Sequence, residues 1–157
     1  MIHPMLEKYA KVIVDYSLGI KKGDTLLIQG TMASEPLVKA VYKEAIIAGV
    51  HPLILLKFEG QDNIFLNHAS GEQIEYESPF MRYLYENIDA ILNILGSYNT
   101  KTLSNVDPAK LRERSRAMTD LREIFNDRAA AGELRWSICQ YPTLADAQEA
   151  SMSLEEY

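Results

Sequence analysis

The stretch from Thr25 to Leu56, TLLIQGTMASEPLVKAVYKEAIIAGVHPLILL, constrains the fold more than any other. It reads as strand, tight loop, helix, strand. Thr25-Leu26-Leu27-Ile28 is a short apolar run closed by Gln29-Gly30. A run apolar on both faces suits a central parallel strand covered on both sides. Ser34 is placed to cap a helix, with Glu35 and Pro36 in its first turn. There a carboxylate favours the helix dipole and a missing proline N–H costs little. Leu37, Val38, Val41, Tyr42, Ala45 and Ile46 follow at helical spacing and predict one apolar face. Gly49 stands where a helix C-terminus needs a left-handed residue. Val50 to Leu56 is the second strand, with Pro52 near its start. The whole is a βαβ unit, expected to cross over right-handedly.

The flanking sequence extends this pattern. Leu6, Tyr9, Ile13 and Tyr16 predict an amphipathic helix over residues 5 to 18, stopped by Gly19. After the second strand, Glu59 to Asp89 holds seven acidic residues and one basic, Arg82. Asp62 is placed to cap one short helix, and Ser70 with Gln73 has capping-box spacing for another. Ser78-Pro79 starts a third, with Phe80, Tyr83, Leu84 and Ile88 expected inside. Ala90 to Gly96 is a third buried strand. Asp107-Pro108 opens a helical stretch to about Ala131, broken near Thr119 and ended by Gly132. Leu134 to Gln140 is a fourth strand, and Thr143 caps a helix over Leu144 to Ala150. The expected fold is α/β. It has a mostly parallel open sheet of about four strands, with helices on both faces in a three-layer, Rossmann- or flavodoxin-like arrangement.

A chain of 157 residues is one domain of ordinary size. A domain of this length buries roughly 70% of its unfolded surface and needs no metal or disulfide to hold a core. The net charge of −6 argues against a dedicated nucleic-acid binder, which needs a basic stripe. Cys139 is the sole cysteine, so a reducing, cytoplasmic setting is the natural reading. The segment MIHPMLEKYAK lacks the basic and apolar regions of a signal peptide. No apolar run approaches the ~18 residues of a membrane span.

No catalytic constellation is visible. His3, His51 and His68 are far apart in sequence and lie outside any H-E-x-x-H pattern, so none is assigned as a metal ligand. Cys139 lies inside a strand and reads as a small core residue, without a base to activate it. Gly30-Thr31-Met32-Ala33-Ser34 follows a strand and precedes a helix, a location that ligands of open α/β sheets favour. It lacks the glycines of G-x-G-x-x-G and G-x-x-x-x-G-K-[ST], and reads as a structural turn. Its alternative role is in a stand-alone module binding a small ligand or anion. Arg112, Arg114 and Arg116 spread round their helix as a solvated face, with Arg116 and Asp120 spaced for an ion pair. Glu75 and Glu77, or Glu155 and Glu156, have no partner for acid–base work. The acidic segment itself could serve a pure interaction domain. Ser153-Leu154-Glu155-Glu156 is a capping box that opens a helix with only Tyr157 to follow. A helix that short is not viable, and the polypeptide is expected to continue.

Several blocks resemble one family. They are Tyr16 to Asp24 (YSLGIKKGD), Glu35-Pro36-Leu37, Ala48-Gly49-Val50-His51-Pro52, and Val106-Asp107-Pro108. The most specific runs from Trp136-Ser137 through Tyr141-Pro142-Thr143 and Ala147-Gln148-Glu149-Ala150 to Met152-Ser153-Leu154-Glu155-Glu156-Tyr157. In order, and over essentially the whole chain, they are similar to the N-terminal domain of the thermophilic-type metallo-aminopeptidases, the aminopeptidase T family. The resemblance implies a cytoplasmic, homodimeric exopeptidase that removes N-terminal residues from peptides. In such enzymes two divalent metal ions (zinc, cobalt or similar) polarise the peptide carbonyl and activate water. The family's ligands and catalytic glutamate lie in a C-terminal domain that begins beyond the point matching Tyr157. The resemblance therefore places no catalytic, cofactor-binding or metal residue on this chain. Residues 1–157 are expected to form a single α/β domain, partnered by that C-terminal domain and walling the peptide cavity. Neither nucleic acid nor membrane is an expected partner.

Overall fold

A computed structural model describes residues 3–157. Its four strands are β1 (Thr25–Thr31), β2 (His51–Lys57), β3 (Ala90–Leu95) and β4 (Arg135–Gln140). They lie in the order β2-β1-β3-β4 and every pairing is parallel. The apolar Thr25–Ile28 run is thus central, as its two-sided hydrophobicity requires. Leu26 and Ile28 join Ala90, Leu92 and Ile94 in the main core. They pack there with Leu37, Val38, Val41 and Ala45 of α2 (Glu35–Ile47). Leu27 and Ile91 point to the opposite face and are buried as well. β2 and β4 are the outer strands, and much of their apolar surface is exposed, including Leu53, Ile54, Trp136 and Ile138.

The N-terminal ends of all four strands are knitted together. His51 N–H donates to the Asp24 carbonyl (2.8 Å), tying β2 to β1. The Asp89 carboxylate, just before β3, accepts from both the backbone N–H and the hydroxyl of Thr25, each at 2.7 Å. Arg135, opening β4, donates to the Asp24 carboxylate (2.5 Å) and to the Gly19 carbonyl (2.9 Å). Burial works against the charge on Asp24, but the Lys21 N–H and the Arg135 guanidinium outweigh it and hold the carboxyl below its ordinary range.

The first helical segment departs from its expected phase. It is α-helical only over α1 (Pro4–Lys11) and continues as a π-helical turn over Val12–Ser17. The wider turn rotates the buried stripe, so Ala10, Ile13, Val14 and Leu18 face inward and Tyr16 is 86% exposed. In α2, Tyr42 and Ile46 are also exposed, while Ala40 is buried in their stead. Gly49 ends α2 at φ +76°. The Val50 N–H returns to the Ala45 carbonyl and the Gly49 N–H to Ile46, a Schellman closure.

The strands, α1, α2 and α8 (Leu144–Glu149) belong to one compact unit. Residues 60–87 and 101–133 form a second, wholly helical unit. It contains α3 (Gln61–His68), α4 (Gly71–Glu75), α5 (Pro79–Asn87), α6 (Pro108–Ala117) and α7 (Thr119–Ala130). Ser70 and Gln73 close the expected capping box, and Asp107 caps α6 through Ala109. α3 begins under Gly60 instead, with Asp62 in its first turn. In α5, Leu84 is buried and so is Ile88 just beyond it. Phe80 sits exposed in the first turn, and Tyr83 lies about 100° round the helix from Leu84.

The first three helices of this unit are short, and each has its C-terminal carbonyls held by a cation from α6 or α7. Lys110 donates to Leu66 (2.8 Å) at the end of α3, Arg114 to Ile74 and Tyr76 (2.9 and 2.8 Å) at α4, and Arg128 to Tyr85 (2.7 Å) at α5. Arg114 also stacks over the Phe65 ring at 5.2 Å, and Tyr85 meets Phe125 edge-to-face. The expected Arg116–Asp120 pair does not form. The helix breaks between α6 and α7, which disrupts the four-residue spacing, and Asp120 turns to Arg82 at 3.5 Å.

Two outcomes follow from these contacts. Arg114→Ala leaves two carbonyls and a ring without their cation and costs about 1–3 kcal/mol in urea unfolding, with faster amide exchange across α4. Asp24 has a lowered native pKa, so its stabilising contribution is complete above its ordinary 3.8 and is lost as pH falls through the native value. Asp24→Asn is therefore less stable than the parent by about 1 kcal/mol at neutral pH, and the gap closes in strong acid.

Candidate functional site

The chain runs from β1 outward to β2 and then returns to the other side of β1 to form β3. The loops after β1 and β3 therefore diverge at the C-terminal ends of the strands, the usual place for a ligand in an open α/β sheet. The Gly30–Ser34 turn, singled out from the sequence, lies there. Gly30 and Thr31 finish β1, and Met32–Ser34 forms one 3₁₀ turn leading into α2.

This turn is filled by its own atoms. Ser34 is fully buried, and its Oγ accepts from the Thr31 N–H (3.3 Å) and donates to the Thr31 carbonyl (2.8 Å). It does not cap α2 with its side chain, as its position had suggested. Thr31 Oγ1 reaches across to the Gly96 carbonyl (2.6 Å), binding the β1 and β3 loops together. Gly96 in turn sits against the Tyr141 carbonyl and the side chains of Ser34 and Thr143. Glu35 adds a carboxylate to the first turn of α2, paired with Lys39 at 2.8 Å. An incoming anion would meet an occupied N–H, an occupied hydroxyl and a negative charge. The geometry fits a structural turn.

The other candidates are dispersed. His3 caps α1, with its Nδ1 accepting from the Met5 N–H (3.2 Å). His51 opens β2, and His68 lies in the last turn of α3, where partial positive charge suits the helix dipole. Cys139 is half-buried in β4. Burial pushes its thiol up, and a hydrogen bond with Tyr9 offsets only part of that, so it is a poor nucleophile at neutral pH. Arg114 is a structural cation and not a solvated one, while Glu77 is held by Arg82. Glu156 accepts from the N–H and hydroxyl of Ser153, completing the box seen in the sequence and lowering its own pKa. Among the described residues no group of three or more His, Cys, Asp and Glu could hold a metal ion, and no helix is long and apolar enough to cross a membrane.

The tightness of the turn is measurable. A Cβ on Gly30 comes within 2.7 Å of Ser34 Oγ and 3.1 Å of the Ile94 carbonyl. Gly30→Ala therefore costs about 1–3 kcal/mol of folding stability. Gly30→Ala with Ser34→Ala loses less than the sum of the single changes, by more than about 0.5 kcal/mol in a double-mutant cycle.

Comparison with known proteins gives this scaffold its relatives. The family model described as thermophilic metalloprotease (M29) matches residues 2–157. "Aminopeptidase 2" of Geobacillus stearothermophilus is 27% identical over 96% of this chain, which covers 38% of that protein. Wild-type AmpT from Thermus thermophilus superposes with a TM-score of 0.72 at 18% identity, over 89% of this chain and 36% of that one. The likeness to AmpT shows a shared fold, and this chain spans well under half the length of either relative. With a family model matching nearly every residue, the chain belongs to the thermophilic metalloprotease (M29) family.

Proposed function

We propose that this chain is the N-terminal, non-metal-binding domain of an aminopeptidase that removes N-terminal residues from peptides. The carrying observation is the match to "Aminopeptidase 2", which takes up nearly all of this chain but only 38% of that protein. In this reading, two divalent metal ions belong to the part of the enzyme that the match does not reach. The described residues do not fit such a centre, since no cluster of ligating side chains converges on one point. Their contribution is a parallel-sheet scaffold. It walls the peptide cavity, limits access to short peptides and partners its own C-terminal catalytic domain in a cytoplasmic homodimer. The alternative of a stand-alone ligand module at Gly30–Ser34 is disfavoured, because the atoms that would receive an anion already bond one another.

Alone, the 157-residue chain is expected to release no leucine from a chromogenic leucyl substrate with zinc or cobalt present. Joined to a catalytic portion like that of its relatives, it is expected to support release that a chelator abolishes. Tight stoichiometric zinc and chelator-sensitive turnover by this chain alone would overturn the proposal. So would a stop codon directly after Tyr157 in the coding DNA, where an open frame rich in His and Glu codons is expected.

A further inference from the structure

β2 lacks the usual protections of an exposed sheet edge. Natural edges are shortened, bulged, charged or interrupted by proline. β2 keeps unbroken register with β1 from His51 to Lys57, and its centre, Leu53-Ile54-Leu55, carries no charge. These side chains are 46%, 47% and 39% exposed. Apolar residues on both faces are the pattern of a strand with a neighbour on each side.

The backbone specifies what that neighbour must offer. Because the His51 N–H points to Asp24, alternate residues Leu53, Leu55 and Lys57 aim their peptide groups at β1. Pro52, Ile54 and Leu56 aim theirs outward. Pro52 has no N–H, so the free edge offers two donors, on Ile54 and Leu56, and three carbonyls. A two-fold axis through Ile54 satisfies this edge with itself. Ile54 exchanges both bonds with Ile54 of the second copy, and each Leu56 N–H reaches the Pro52 carbonyl opposite. Every donor is used, Leu53 faces Leu55, and the polar ends His51 and Lys57 fall together. Moving the axis to Leu55 would set Lys57 against Leu53.

The apolar surface continues onto α2. Buried Ala40 marks the flank of α2 that packs on α1, to which Lys43 is bonded through Glu7 at 2.8 Å. Tyr42, about 200° round from Ala40, and Ile46 lie on the other flank. α1 sits on the β4 side, where Tyr9 bonds Cys139, so the flank of Tyr42 and Ile46 overhangs the outer edge of β2. These two residues are 40% and 52% exposed. With Leu53, Ile54 and Leu55 they expose roughly 400 Å² of side chain, about half of the ~800 Å² a standard interface takes from each partner, before backbone is counted.

We propose that β2 pairs antiparallel with β2 of a second copy of this chain about a two-fold axis at Ile54, joining two four-stranded sheets into one. The inference does not depend on the peptidase reading. It is tested on the 157-residue chain by sedimentation equilibrium and concentration-dependent amide exchange. A dimer is expected at micromolar concentrations, with the Ile54 and Leu56 amides gaining protection as it forms. Ile54→Lys should weaken association at least about tenfold while leaving unfolding unchanged. In a Cys139→Ser background, Ile54→Cys should oxidise to a linked dimer, since facing Cα atoms in a hydrogen-bonded antiparallel pair lie about 5.5 Å apart, within disulfide reach. Ile64→Cys, on an exposed position of α3, is the control and should not link. The proposal is overturned by a chain that stays monomeric at high concentration, by edge amides already protected in the dilute monomer, by a dimer indifferent to Ile54→Lys, or by equal linking at Ile64→Cys.

Discussion

The clamp across the N-terminal ends of the strands is the interaction on which the rest of this structure depends. A parallel sheet cannot set its register with tight hairpins, because each neighbour arrives after a long excursion. Here Asp89 finds Thr25 across 64 residues and Arg135 finds Asp24 across 111. A slip of one residue would exchange Leu26 and Ile28 for Leu27 on the core face. The bonds at Asp24, Thr25, His51, Asp89 and Arg135 oppose that slip where the strands begin. Two of them are charge-assisted, and the partly buried setting weakens them less than open solvent would. The apolar core then packs a sheet whose alignment is already specified.

The helical unit solves a different problem by related means. Helices of five to nine residues gain too few internal bonds to repay nucleation. Their last carbonyls have no helical partner and must find donors elsewhere. Lys110, Arg114 and Arg128 supply those donors from two later helices, and each places positive charge at the negative end of a helix dipole. The charge imbalance along the chain thereby acquires a cause. The acidic segment from Glu59 to Asp89 carries one basic residue of its own, and the cations that complete it come from beyond residue 100.

What could be read from the sequence, and what could not, divides along the same line. Features decided by neighbours in the chain were legible: the βαβ unit, the Ser70–Gln73 box, the Asp107 cap, the Gly49 stop and the break before Thr119. Features decided at a distance were not. Arg114 looked like part of a solvated face because nothing near it in sequence reveals the carbonyls of Ile74 and Tyr76. The π-helical turn shifted the buried stripe of the first helical segment, and a fixed period of 3.6 residues could not register that. Tyr42, Ile46, Phe80 and Tyr83 are apolar and still face outward, because hydrophobic spacing shows which side chains could be buried and not which ones have a neighbour. For the candidate site, the location after β1 followed from strand–loop–helix order. Its closure by Ser34 and Thr31 required knowing that Gly96 lies beside them.

These commitments bear on chemistry. A general acid or base needs a carboxylate or imidazole that can reach a substrate and exchange a proton with it. Asp24, Asp89, Asp107 and Glu77 instead accept bonds from the protein's own donors, and His3 spends a ring nitrogen on a backbone N–H. Such bonds favour the ionised carboxylate and keep it from accepting a proton near neutral pH. The residues that most resemble catalytic equipment by type are thus used as fasteners. Where polar groups are engaged in this way, the chemical potential of the surface lies in its apolar parts, the edge of β2 above all. A scaffold built so is suited to presenting faces to other polypeptide, and its conformational rigidity lowers the entropy lost when those faces are covered.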